Sequence, residues 1–144
     1  SNFITEQTEL YLNDESVSAF FNDSVKEENK KHPFSKINLG SAWIVSQWNG
    51  DFNPAHMHDG YISGVCYVKM PDMDSTIENE DHTKTCSKIA FISGNPAHLN
   101  LHQYVILPEP GGFFLFPSWL IHTVYPFRTP NTERRSVSFN LYLE

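Results

Sequence analysis

From about residue 36 onward the chain is written in short runs of period near two, rich in Val, Ile, Phe, Tyr and Trp and broken by Gly, Pro, Asn and Asp. Alternation of this kind puts successive side chains on opposite faces of an extended backbone, whereas helices bury residues spaced three and four apart. Strands are expected near Lys36–Trp48, Ala55–His58, Ile62–Met70, Lys88–Ser93, Gln103–Leu107, Gly112–Phe116, His122–Pro126 and Ser136–Leu143. Eight short strands in succession point to an antiparallel sandwich or barrel rather than a βαβ fold. Ahead of them, Val17, Phe20, Phe21 and Val25 recur at helical spacing, Asn13 or Asp14 can cap the start, and Pro33 stops continuation, so one helix is expected over Asn13–Lys31. The polar, acidic stretch Pro71–Ser87 reads as a surface loop. No repeat or second domain is visible, and one domain is expected over residues 1–144, with a missing N-terminal element left open.

The function classes open to such a chain are narrowed by composition. Its 144 residues, 40% hydrophobic and 14% aromatic, suffice for one real core. Asp and Glu number 17 against 10 Lys and Arg, a formal net charge of −7. That balance argues against phosphate-backbone binding and favours a small molecule or a protein as partner. No apolar run approaches the ~20 residues that span a bilayer, and Ser1–Glu9 lacks the basic start and apolar stretch of a signal peptide. A soluble, cytoplasmic protein without membrane or nucleic-acid partners is the expectation. Cys66 and Cys86 lie in strand-like sequence and read as buried thiols without a catalytic role.

Three places carry chemistry. Asn53-Pro54-Ala55-His56-Met57-His58-Asp59-Gly60 sets two imidazoles at i and i+2, on one face of a strand and a few ångströms apart. Such a pair suits a divalent metal, though alone it equally describes two surface histidines at a strand end. Further along, Pro110-Gly111-Gly112 leads into the aromatic strand Phe113–Phe116, Pro117-Ser118-Trp119 reverses it, and His122 heads the next strand. In a jelly roll, strands distant in sequence share one barrel, so His122 can complete a set with His56 and His58. Alone it would be a core histidine bonded to a carbonyl. In the last strand Arg134, Ser136, Ser138 and Asn140 share one face and Val137, Phe139 and Leu141 the other. If the polar face points inward, Arg134 with Ser136 offers a planar fork plus a hydroxyl that matches a carboxylate. The plain alternative is an edge strand with a solvated polar face.

The ordered set His56-x-His58, Phe116-Pro117-Ser118-Trp119-x-x-His122 and Arg134-x-Ser136-x-Ser138-Phe139-Asn140 resembles the Fe(II)/2-oxoglutarate oxygenases. The nearest likeness is to a family of short members, similar through Ser63-Gly64-Val65-Cys66-Tyr67-Val68 and from about Ser41 to the C-terminus. That resemblance implies a mainly β double-stranded β-helix, a cupin-like jelly roll with an N-terminal helix, acting as an oxygenase with Fe(II) and 2-oxoglutarate as cofactors. His56 takes the place of the first metal ligand, His122 that of the distal histidine, Arg134 that of the partner of the cosubstrate's far carboxylate, and Ser136 its hydroxyl partner. Tyr67 and Asn140 are further candidates to line the cosubstrate pocket. The usual His-x-Asp/Glu motif is replaced by His-x-His, so His58 ranks as third ligand with Asp59 as fallback, usable only where the strand ends or bulges.

Three neutral imidazoles leave the metal more electrophilic than two imidazoles and a carboxylate. Such a site could chelate a 2-oxoacid and hydroxylate an unidentified substrate. Alternatives are a degenerate jelly roll that holds a metal or small acid without turnover, and a three-histidine cupin-like metalloenzyme, including a zinc or isomerase-like one, that does not use 2-oxoglutarate. Homodimerisation through edge strands stays open. His32, His82, His98 and His102 are expected at the surface, and Trp43, Trp48 and Trp119 in the core or at its rim.

Overall fold

The computed structural model describes residues 2–19, 32–71, 85–94 and 102–144. Among these residues, two helices, α1 (Asn2–Asn13) and α2 (Glu15–Ser18), precede eight strands: β1 (Ile37–Gln47), β2 (Asn53–His56), β3 (Ile62–Lys69), β4 (Ile89–Ile92), β5 (Gln103–Ile106), β6 (Phe113–Pro117), β7 (Ile121–Val124) and β8 (Arg134–Leu143). They form two antiparallel four-stranded sheets, β1-β8-β3-β6 and β2-β7-β4-β5. The fold is a mainly β jelly roll.

Between the sheets lies an apolar core of Val65, Tyr67, Ile89, Phe91, Phe116 and Val124, drawn from β3, β6, β4 and β7. Alternation decides which residues enter it. In β3, Ser63, Val65 and Tyr67 point inward, while Ile62, Gly64 and Cys66 point outward. The outward set is covered too: Ile62, Phe139, Leu141 and Leu143 pack with Leu12 of α1, and Ile4 and Tyr11 of α1 close around them. A strand covered on both faces loses its alternation, which explains why most of β3 is buried. Gly64 is required where it stands, because a Cβ there would lie 2.1 Å from Cζ of Phe139.

Helix α1 was not anticipated by spacing. Ile4, Thr8, Leu12 and the neighbouring Tyr11 form its sheet-facing stripe, and the buried Thr8 hydroxyl is satisfied by donating 2.7 Å back to the Ile4 carbonyl. A threonine in the middle of that stripe hides the apolar period. The helix expected over Asn13–Lys31 starts as foreseen, with the Asp14 side chain capping Ser16 N–H. Only Glu15–Ser18 is helical among the described residues of that span, and residues 20–31 lie outside them.

Two smaller expectations change. His32, expected at the surface, is 2% exposed, because Glu9 of α1 bonds its Nε2 at 2.8 Å and Phe34 stacks on its ring. Cys66 lies in β3 as expected, whereas Cys86 lies in the turn before β4; both are free and partly exposed. His82, His98 and most of the 71–87 loop fall outside the described residues. No described helix is long and apolar enough to cross a membrane.

Candidate metal centre

His56 ends β2 and stands opposite His122 of β7 in the ladder, with ring centroids 4.3 Å apart. The expected strand Ala55–His58 lies two residues earlier, at Asn53–His56, so His58 falls just beyond its end. It is held there by its main chain, whose N–H donates 2.9 Å to the Ser118 carbonyl in the β6–β7 turn. The His58 ring meets His56 edge-on at 4.9 Å and His122 at 5.1 Å. One ligating atom from each of the three lies within 4.8 Å of the others. An ion bound at about 2.1 Å to each nitrogen asks for nitrogens about 3 Å apart, so ring rotations of the order of an ångström close the set. Asp59 is exposed and outside this cluster, although the strand does end before it.

Two of the rings are fixed by their back nitrogens. His56 Nδ1 donates 2.7 Å to the Pro54 carbonyl and His122 Nδ1 donates 2.9 Å to the Leu120 carbonyl. Each bond sets the tautomer in which Nε2 carries the lone pair, the form a metal requires. Burial pulls His122 down to about 4; the Leu120 bond opposes this, while His56 and His58 add to it. His58 is lowered as well, by burial first and then by His56. His58 and His122 are thus neutral and ready to donate lone pairs at pH 7.

The cavity in front of the imidazoles runs toward Gln47, Tyr67 and Ser136. Inward residues of β1 and β8 pair in register there: Trp43 with Ser138, Val45 with Ser136, Gln47 with Arg134. β8 is an interior strand between β1 and β3, which overturns the edge-strand alternative for its polar face. Arg134 lies behind the Gln47 side chain, 1% exposed. Its Nε donates 3.0 Å to Gln47 Oε1, and Nη1 donates to the carbonyls of Ser87 and Tyr125 at 3.2 and 3.0 Å. The guanidinium carbon stands 5.3 Å over the Phe127 ring. Nη2 is buried with no hydrogen-bond partner among the described residues.

Burial lowers the Arg134 pKa, with Tyr67, Cys86 and Asp51 opposing it, but a guanidinium stays charged, and a buried cationic donor left unfilled among the described residues is costly. The donor set therefore fits a carboxylate. Tyr67, 2% exposed, is pushed up to about 12 by burial against the pull of the Arg134 charge, so its phenol stays a proton donor. Asn140, expected beside Tyr67 in the cosubstrate pocket, is instead bonded to Ser63 Oγ at 2.9 Å, and Ser63 meets Ser118 Oγ at 2.9 Å. Three residue pairs along β8 separate it from Arg134, too far for both to serve one small ligand.

Sequence reasoning missed Gln47, whose Nε2 donates 3.2 Å to Asn53 Oδ1 while its oxygen aims Arg134. Its signal was present, since Gln47 shares the period-two face of Trp43 and Val45. Trp43 lies against the site, 5.5 Å from His58, while Trp48 and Trp119 are exposed. His102 is partly buried and lines an apolar groove near β5 and β6.

Residues 41–140 match the family described as "Putative 2OG-Fe(II) oxygenase", which takes in the centre and the Arg134 pocket together. The chain belongs to this family. A search of curated proteins gives no match. Among solved structures, the 2OG-Fe(II) oxygenase family oxidoreductase from Burkholderia pseudomallei superposes with a TM-score of 0.56 at 15% identity. The likeness covers 95% of this chain and 55% of that one, so the chain spans about half the length of that oxygenase, and the shared feature is the fold.

Proposed function

We propose that the protein is an Fe(II)- and 2-oxoglutarate-dependent oxygenase in which His56, His58 and His122 hold the metal and Arg134, with Ser136 and Tyr67, takes the far carboxylate of the cosubstrate. The observation that carries this reading is the buried Nη2 of Arg134, without a hydrogen-bond partner among the described residues, on a guanidinium bonded to Gln47 of the cavity that the three imidazoles line. Bound together, the two cofactors supply decarboxylation of 2-oxoglutarate to succinate and CO₂ by O₂, with the second oxygen atom inserted into a substrate C–H bond. The chain's own work is to hold and orient. The Nδ1 bonds of His56 and His122 keep Nε2 lone pairs aimed at the ion, Gln47 aims the guanidinium, and Val65, Ile89, Phe116 and Val124 keep water out. The partners are then the small-molecule cosubstrate and a substrate whose class nothing in the chain specifies.

Anaerobic addition of Fe(II) and 2-oxoglutarate tests the reading. A metal-to-ligand charge-transfer band is expected; metal bound without any band would remove 2-oxoglutarate. That outcome would favour a three-histidine metalloenzyme of another kind, a reading supported by the exposed position of Asp59, which leaves no carboxylate in the ligand cluster.

A further inference from the structure

Ser118 is 0% exposed and makes three hydrogen bonds from one position. Its carbonyl accepts the His58 N–H, and its own N–H donates 3.0 Å to Tyr61 O. Its hydroxyl meets Ser63 Oγ, which donates to Asn140 Oδ1. A serine hydroxyl carries one proton. Because that of Ser63 goes to Asn140, the proton in the Ser118–Ser63 bond belongs to Ser118, and the chain runs Ser118 to Ser63 to Asn140. Two residues on, Leu120 closes the turn by donating to Pro117 O at 2.9 Å, and its carbonyl takes the His122 Nδ1 proton.

One four-residue turn, Pro117–Leu120, therefore touches two of the three imidazole residues, His58 through its main chain and His122 through its ring. That turn joins β6 of one sheet to β7 of the other, while Ser63 and Asn140 sit on β3 and β8 of the first. We infer that the buried Ser118–Ser63–Asn140 chain is a positioning element: it pins the Pro117–Leu120 turn to the first sheet and so sets the separation of His58 from His122. This rests on the metal reading above. Asn140 acts through Ser63 and Ser118, and none of the three touches the ion. Groups that orient metal ligands alter affinity by about 10–100-fold when removed.

The test is titration of the metal-free full chain with Co(II), following affinity and the visible ligand-field band. Wild type is expected to take one ion. Ser118→Ala, Ser63→Ala and Asn140→Ala should each weaken binding by about tenfold and shift the band, since each cuts the same chain. Leu143→Ala, on the outer face covered by α1, is the comparison: it lowers the melting temperature and leaves band and affinity unchanged. Should Ser118→Ala fail to fold, Ser63→Ala and Asn140→Ala leave every main-chain bond of the turn in place and carry the same expectation. Folded variants with wild-type affinity and an unshifted band would overturn the inference while leaving the metal site standing. A wild-type chain that takes no Co(II) would instead remove the metal reading on which it rests.

Discussion

The two ends of the inner cavity handle charge in opposite ways. At one end three imidazoles converge, and burial lowers the pKa of His58 and His122, so lone pairs face a place where a cation can sit. Next to the other lies Arg134, bonded to the lining residue Gln47; burial fails to neutralise it, and it stays cationic with one donor unfilled among the described residues. The same desolvation makes one end a receptor for positive charge and the other for negative. A small acid that chelates a metal at one terminus and carries a second carboxylate matches both, and this is what distinguishes the cavity from a merely polar core.

Removing the arginine end should leave the metal end working, whereas removing the metal also removes the acid's chelating contact. His122→Ala is expected to abolish metal binding, a loss of more than a hundredfold in Co(II) affinity measured by titration, because two imidazoles remain where three converged. Arg134→Met should weaken 2-oxoglutarate binding by about a hundredfold while leaving metal affinity near wild type, as removing one partner of a buried charged pair costs about 2–5 kcal/mol. Loss of metal binding in Arg134→Met would show that the two ends are not separate.

The pH dependence sharpens the contrast. His122 titrates near 4 in the folded chain and near the ordinary imidazole value of about 6.5 when unfolded. Between those values the unfolded chain binds the proton and the folded chain does not, so stability rises with pH across that window and is lost as pH falls through it. Urea titrations of metal-free protein from pH 4 to 7.5 should show this rise, and His122→Asn should flatten it; an equal slope in both would refute the buried, neutral state. Arg134 contributes no such slope in that range. The smallest effect is expected from Gln47→Ala, which deletes one bond aiming Arg134: cosubstrate affinity should fall about fivefold, the worth of about 1 kcal/mol, with metal binding unmoved.

How much of this could be read from sequence differs between the same two ends. Strand positions follow from alternation, and all eight are found within a few residues of where the pattern puts them. The histidine end was nearly legible, because His-x-His at a strand end and a histidine heading a later strand need only a jelly roll to meet. What spacing could not supply was how His58 stays in the site after β2 ends, which depends on a main-chain bond to Ser118. The arginine end was legible in identity but not in setting: Arg134 and Ser136 were visible, whereas Gln47 and the carbonyls of Ser87 and Tyr125 come from three other segments. Asn140 misled because a shared face says nothing about distance along the strand. Helix α1 and the burial of His32 were hidden because a threonine in the buried stripe and a hydrogen bond between residues 23 apart in sequence leave no periodic trace.

The most direct test is anomalous diffraction at the iron edge from crystals grown anaerobically with Fe(II) and 2-oxoglutarate. One iron peak is predicted about 2.1 Å from Nε2 of His56 and His122 and from a His58 ring nitrogen, with the cosubstrate's far carboxylate on Arg134 Nη2. A peak held by Asp59 or at the protein surface, or a cosubstrate turned away from Arg134, would contradict the account.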